Sequence, residues 1–125
     1  MAKILIVEDD PGMSRMYERA FQMAGHEVQM AVDGEEGLAK VKEGAPELIL
    51  LDIMMPKVNG MEVLSNLKAH SQTADIPVVM LTNISSGTLG AAQEAVAKKW
   101  AVRYIVKSDH SPKEVVSMAE EVLHG

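Results

Sequence analysis

Three acidic residues in succession, Glu8, Asp9 and Asp10, follow the apolar run from Ile4 to Val7, and a further acid, Asp52, interrupts the apolar stretch from Leu48 to Met55. Thr82 follows Val78-Val79-Met80-Leu81, and Lys107 follows Tyr104-Ile105-Val106. A carboxylate set among apolar neighbours carries a desolvation cost that a surface acid avoids, so Asp52 is hard to dismiss as a bystander. Taken singly, the others have ordinary explanations. Acids at positions 8 to 10 favour the start of a helix, a threonine can simply end a strand, and a lysine usually keeps its ammonium in water. Convergence would change that reading. Clustered carboxylates raise one another's pKa unless a cation neutralises them, and a hard divalent ion with oxygen ligands, Mg2+ above all, suits such a cluster. That ion takes one or two carboxylates and leaves room for a phosphoryl oxygen. A lysine opposite balances a dianionic phosphoryl group, and a threonine hydroxyl donates to another of its oxygens. Such a set stabilises in-line transfer of a phosphoryl group to a carboxylate nucleophile. The acid held deepest between metal and lysine is Asp52.

Convergence requires that each of these residues stand at the carboxyl end of a neighbouring strand. Five short runs read as strands: 4–7, 28–32, 48–51, 78–81 and 102–106. All but the second are nearly continuous apolar runs, as expected of strands covered on both faces. The second alternates, with Gln29 between Val28 and Met30, which suits an edge. Helical patterns lie between them. Met13, Met16, Tyr17, Ala20, Phe21 and Ala24 form one apolar stripe, capped by Asp10, entered at Pro11 and left at Gly25. The last helix opens on Ser111-Pro112-Lys113-Glu114, a capping box with proline at the first helical position, and weaker helices fit 35–43, 60–69 and 88–99. The chain therefore reads as an α/β protein of (βα)5 type, a doubly wound parallel five-stranded sheet with helices on both faces. In the flavodoxin-like strand order 2-1-3-4-5 the switch point lies between strands 1 and 3, where ligands bind at the carboxyl ends. Glu8, Asp9, Asp52, Thr82 and Lys107 then share one cleft.

With 125 residues there is room for one substantial core, so residues 1–125 are read as a single domain. No apolar stretch is long enough for a signal peptide or a membrane span. The net charge of −6 argues against a nucleic-acid surface, which needs clustered Lys and Arg. The lack of Cys excludes a thiolate metal site and fits a reducing, cytoplasmic setting. His26, His70, His110 and His124 are dispersed without metal-ligand spacing, and no chemistry is assigned to them.

Together, Ile4-Leu5-Ile6-Val7-Glu8-Asp9-Asp10, Leu50-Leu51-Asp52-Ile53-Met54-Met55-Pro56 with Asn59-Gly60, Val79-Met80-Leu81-Thr82 and Tyr104-Ile105-Val106-Lys107 resemble the receiver domain of response regulators over essentially the whole chain. The resemblance implies two-component or phosphorelay signalling. Asp52 would accept phosphate from the phosphohistidine of a sensor histidine kinase or a histidine phosphotransfer protein. Asp9 would bind Mg2+ directly, Glu8 mainly through water, and the backbone carbonyl of Met54 would add a contact. Thr82 and Lys107 would touch the phosphoryl oxygens, and Tyr104 would be the switch aromatic that turns inward as Thr82 moves. The output would be a downstream protein target or effector domain, with a homodimer on phosphorylation through the face around Tyr104 left open.

Three positions depart from the family pattern. Ser108 follows Lys107 where proline with a cis peptide is common. A non-proline cis bond costs about 3–4 kcal/mol, so the expectation is either a trans bond with a reshaped loop or a retained, strained cis bond, with the balance tipped slightly to trans. Asn83 stands where a very small residue is usual, beside the phosphoryl site. Trp100 precedes the fifth strand where glycine is frequent, and it either fills core or anchors a partner. The positions that tune hydrolysis correspond to Met54 and Ile84; both are apolar and position water poorly, so a slowly hydrolysing phospho-form is expected.

Other functions compete. Haloacid-dehalogenase-type phosphatases also use a strand-end Asp, a Thr and a Lys, but need a second acid two positions after the nucleophile, where this chain has Met54. A flavodoxin-like flavin site would place a phosphate against Glu8-Asp9-Asp10, which repel it. The remaining alternative is a degenerate receiver that works as a phosphorylation-independent docking module.

Overall fold

Alternate residues of the apolar strands point to opposite faces of a sheet, so each continuous run feeds two cores at once. The structure, a computed structural model, describes residues 2–52, 60–82 and 99–124. Five parallel strands, β1 (Lys3–Val7), β2 (Glu27–Ala31), β3 (Leu48–Leu51), β4 (Val78–Thr82) and β5 (Arg103–Val106), form one sheet in the order β2-β1-β3-β4-β5. Four α-helices are described with them: α1 (Pro11–Met23), α2 (Gly34–Gly44), α3 (Gly60–Ala69) and α4 (Pro112–His124). The helical pattern over 88–99 lies almost wholly outside the described residues.

On one face, Ile4, Ile6, Leu48, Leu50, Val79, Leu81 and Ile105 pack with Tyr17 and Phe21 of α1 and Val115, Val116 and Ala119 of α4. On the other, Leu5, Val7, Ile49, Leu51, Val78 and Met80 meet Val41 of α2 and Met61, Val63, Leu64 and Leu67 of α3. This is the two-sided burial that the apolar runs predict. β2 alternates exposed and partly buried positions, as an edge strand should.

Local signals place the helix ends. The Asp10 carboxylate accepts from the Gly12 and Met13 amides at 2.9 and 3.2 Å, capping α1. Gly25, at φ +93°, takes the left-handed turn out of it. Ser111 and Glu114 bond reciprocally at the start of α4, with the Ser111 amide donating to the Glu114 carboxylate at 2.9 Å and the Glu114 amide donating to Oγ at 3.2 Å. Among the described residues no helix is long and apolar enough to cross a membrane.

Candidate functional site

The ladder that joins β1 to its neighbours continues one residue past the strands and fixes the backbone of two acids. The Glu8 amide donates to the Ala31 carbonyl and the Asp52 amide to the Val7 carbonyl, each at 3.0 Å. Thr82 ends β4 in register with Val106 of β5, and Lys107 follows Val106 directly. Strand pairing alone therefore brings Glu8, Asp52, Thr82 and Lys107 to one end of the sheet, at the switch between β1 and β3.

The side chains then separate by burial. Glu8 is 2% exposed, Asp52 6% and Lys107 6%, while Asp9 is exposed. The Lys107 ammonium donates to one oxygen of Glu8 and, at 3.2 Å, to Asp52 Oδ2. The other Glu8 oxygen accepts from the Asp10 amide at 3.2 Å, so both of its oxygens are held. Burial pushes the Glu8 carboxyl above its ordinary range, Lys107 pulls it down, and the charge of Asp52 adds to the rise. Asp9 is raised too, first by burial and then by the neighbouring charge of Glu8.

One carboxylate oxygen each from Glu8, Asp9 and Asp52 lie within 4.8 Å of one another. An all-oxygen anionic set beside a single ammonium is the donor chemistry of a hard divalent cation. The residues fit such an ion, with Asp9 the most exposed donor and Glu8 and Asp52 both bonded to Lys107 beside it.

The Lys107-Ser108 peptide is trans, like every peptide bond among the described residues, and residues Lys107–Asp109 form a single 3-10 turn. Of the two outcomes open at this bond, the structure has the trans one, as the cost of a non-proline cis peptide favours. Trp100 and Tyr104 are partly buried and pack against the same core cluster. Met54, Asn83 and Ile84 lie outside the described residues. Two features escape the sequence reading. Glu8 is a buried partner of Lys107, a contact that the sequence reading did not assign to it. Tyr17, read there as one member of an apolar stripe, has its phenol pushed up to about 12 by burial, with the charges of Glu8 and Asp52 adding. A phenol in an otherwise apolar stripe, facing the acid-bearing strands, is the signal that could have marked it.

Residues 4–120 match the family model for the response regulator receiver domain. The chain is 45% identical over 96 residues to RpaA of Synechocystis sp., a DNA-binding dual master transcriptional regulator, covering 77% of this chain and 38% of RpaA. Among solved structures it is similar to the chemotaxis protein CheY4 of Vibrio cholerae, at a TM-score of 0.85 and 30% identity over 98% of both chains. It is also similar to the response regulator Rcp1 in its Mn2+-bound form, at a TM-score of 0.78 and 28% identity, over 98% of this chain and 91% of that one. The chain spans only part of the curated relatives it matches, 38% of RpaA, 48% of a ycf27 regulator from Porphyridium aerugineum and 57% of MtrA from Mycolicibacterium smegmatis.

Proposed function

The chain belongs to the response-regulator receiver family, a family of signalling domains, and from that premise we propose that Asp52 is its phosphoacceptor. Residues 1–125 are read as one receiver domain, working in the cytoplasm. The observation that carries the reading is Lys107, an ammonium bonded to both Glu8 and Asp52 at the carboxyl end of the sheet.

Asp52 attacks as the carboxylate. An Asp52 oxygen bonds to phosphorus as the bond from phosphorus to the donor's imidazole nitrogen breaks. The donor is a sensor histidine kinase or a histidine phosphotransfer protein. Lys107 follows the negative charge from the carboxylate to the phosphoryl oxygens, and Glu8 holds it within reach throughout. The Thr82 hydroxyl contributes a further donor, and Tyr104 relays the change to a downstream protein target or effector domain, or to a second copy of the chain. Asp9, Asp52, Glu8 and the Met54 carbonyl would hold Mg2+, which supplies charge neutralisation at the phosphoryl oxygens. The Mn2+-bound form of Rcp1 supports a divalent ion here. The convergence of acids and lysine favours phosphorylation over docking alone, and the net charge of −6 speaks against direct contact with nucleic acid.

The test is intact mass after incubation with a small acyl phosphate and Mg2+. The wild type gains one phosphoryl group and Asp52→Asn gains none. An unmodified wild type, or equal labelling of Asp52→Asn, overturns the assignment.

A further inference from the structure

β2 is the outermost strand of the sheet, so among the described residues one of its sides pairs with a strand and the other does not, and an exposed strand edge is a template for another chain. The register shows which backbone groups face out. The Glu27 amide donates to the Ala2 carbonyl at 2.9 Å and the Ala31 carbonyl accepts from the Glu8 amide at 3.0 Å. Residues 27, 29 and 31 therefore direct their backbone groups to β1, and Val28, Met30 and Val32 direct theirs to the open side. Two of those outward groups have partners from α2. The Lys40 ammonium donates to the Met30 carbonyl, and the Val32 amide donates to Glu36 Oε1 at 3.0 Å. Glu36 and Lys40 stand one helical turn apart, with Nζ 3.8 Å from Oε1, so one ion pair spans both groups.

Helix capping accounts for part of this. The Glu36 amide donates to the Asp33 cap at 2.8 Å, and its carboxylate reaches back over the first turn. Capping does not account for Lys40, which lies mid-helix and bonds a carbonyl of another element. What the pair covers is apolar and accessible: Val32 is 56% exposed, with Val28 and Met30 half-buried beside it.

We propose that the Glu36–Lys40 pair guards the outer edge of β2 against strand addition by a second copy of this chain. An incoming strand needs successive outward donors and acceptors, and the pair occupies the Met30 carbonyl and the Val32 amide in the middle of that row. The groups left on the Val28 side are too few for a stable ladder. This device is independent of phosphorylation at the opposite side of β1.

The test uses the unphosphorylated full chain without Mg2+, as wild type, Lys40→Ala and Glu36→Ala/Lys40→Ala, in light scattering across a concentration series. The double variant is expected to double its mass or more at concentrations where the wild type is unchanged. Amide exchange of Val28 and Met30 should slow at least tenfold in the associated form. Lys40→Ala leaves the α2 cap intact and should associate in the same sense, so it carries the test if the double variant does not fold. Folded variants that keep the wild-type mass overturn the proposal. So does association that leaves exchange at Val28 and Met30 unaltered.

Discussion

Glu8 and Asp9 are adjacent acids in opposite circumstances. Successive residues of an extended chain point to opposite sides, and here the first turns inward to Lys107 while the second stays at the surface. Both carboxyls are raised, Glu8 first by its burial and Asp9 first by a partial loss of water around a group that is otherwise exposed. A raised carboxyl binds its proton more tightly in the fold than in the unfolded chain, so its ionisation costs stability at neutral pH. That cost disappears as pH falls through the raised values toward the ordinary 4.5 and 3.8. A divalent cation offsets the same repulsion, so Mg2+ should raise the melting temperature at pH 7, with the gain shrinking across this acid window. Asp9→Ala should lose most of the gain. Thermal melts with and without Mg2+ check this, and a gain in Asp9→Ala equal to the wild type's would contradict the metal assignment. Two adjacent acids are legible in a sequence; which of them the fold turns inward is not.

Elements were legible where their signals are local. The Asp10 cap, the Ser111–Glu114 box and the exit at Gly25 depend on residues within a few positions, and the structure bears out each one. β2 begins at Glu27, one residue before the apolar alternation, because pairing with Lys3 admits a polar residue that a hydrophobic pattern cannot mark. α2 begins at Gly34 because Asp33 caps it, slightly ahead of the pattern over 35–43. His26 shows what distance hides. Its Nδ1 accepts from the Ala2 amide at 3.1 Å, 24 residues away, and its Nε2 meets Glu120 of α4 at 2.9 Å, 94 residues away. With Nδ1 accepting, Nε2 carries the proton and donates to the carboxylate. The ring thus ties the start of the sheet to the last helix. Nitrogen NMR should find the Nε2–H tautomer at neutral pH, and His26→Ala should cost about 1–3 kcal/mol by orphaning the Ala2 amide. The Nδ1–H tautomer, or a loss below about 0.5 kcal/mol, would contradict that role.

The whole molecule is a sheet with a core on each face and its polar residues at one end, and that plan follows from the strand runs alone. β1, β3 and β4 are apolar almost throughout because helices cover them twice, so an acid directly after such a strand must lie at the rim of the core. Strand order was harder to read, since it depends on pairings between residues far apart in the chain, such as Ile4 with Leu48 and Met80 with Tyr104. Family resemblance supplied what periodicity could not, and the family match over residues 4–120 agrees with it. Under the proposed function, this plan serves to load one carboxylate, that of Asp52. Borohydride reduces an acyl phosphate of aspartate to homoserine, so phosphorylation with Mg2+ and a small acyl phosphate, followed by reduction and peptide sequencing, identifies the acceptor. Homoserine at position 52 alone is the expected result; homoserine at position 9, or at no position in a phosphorylated protein, would contradict the account.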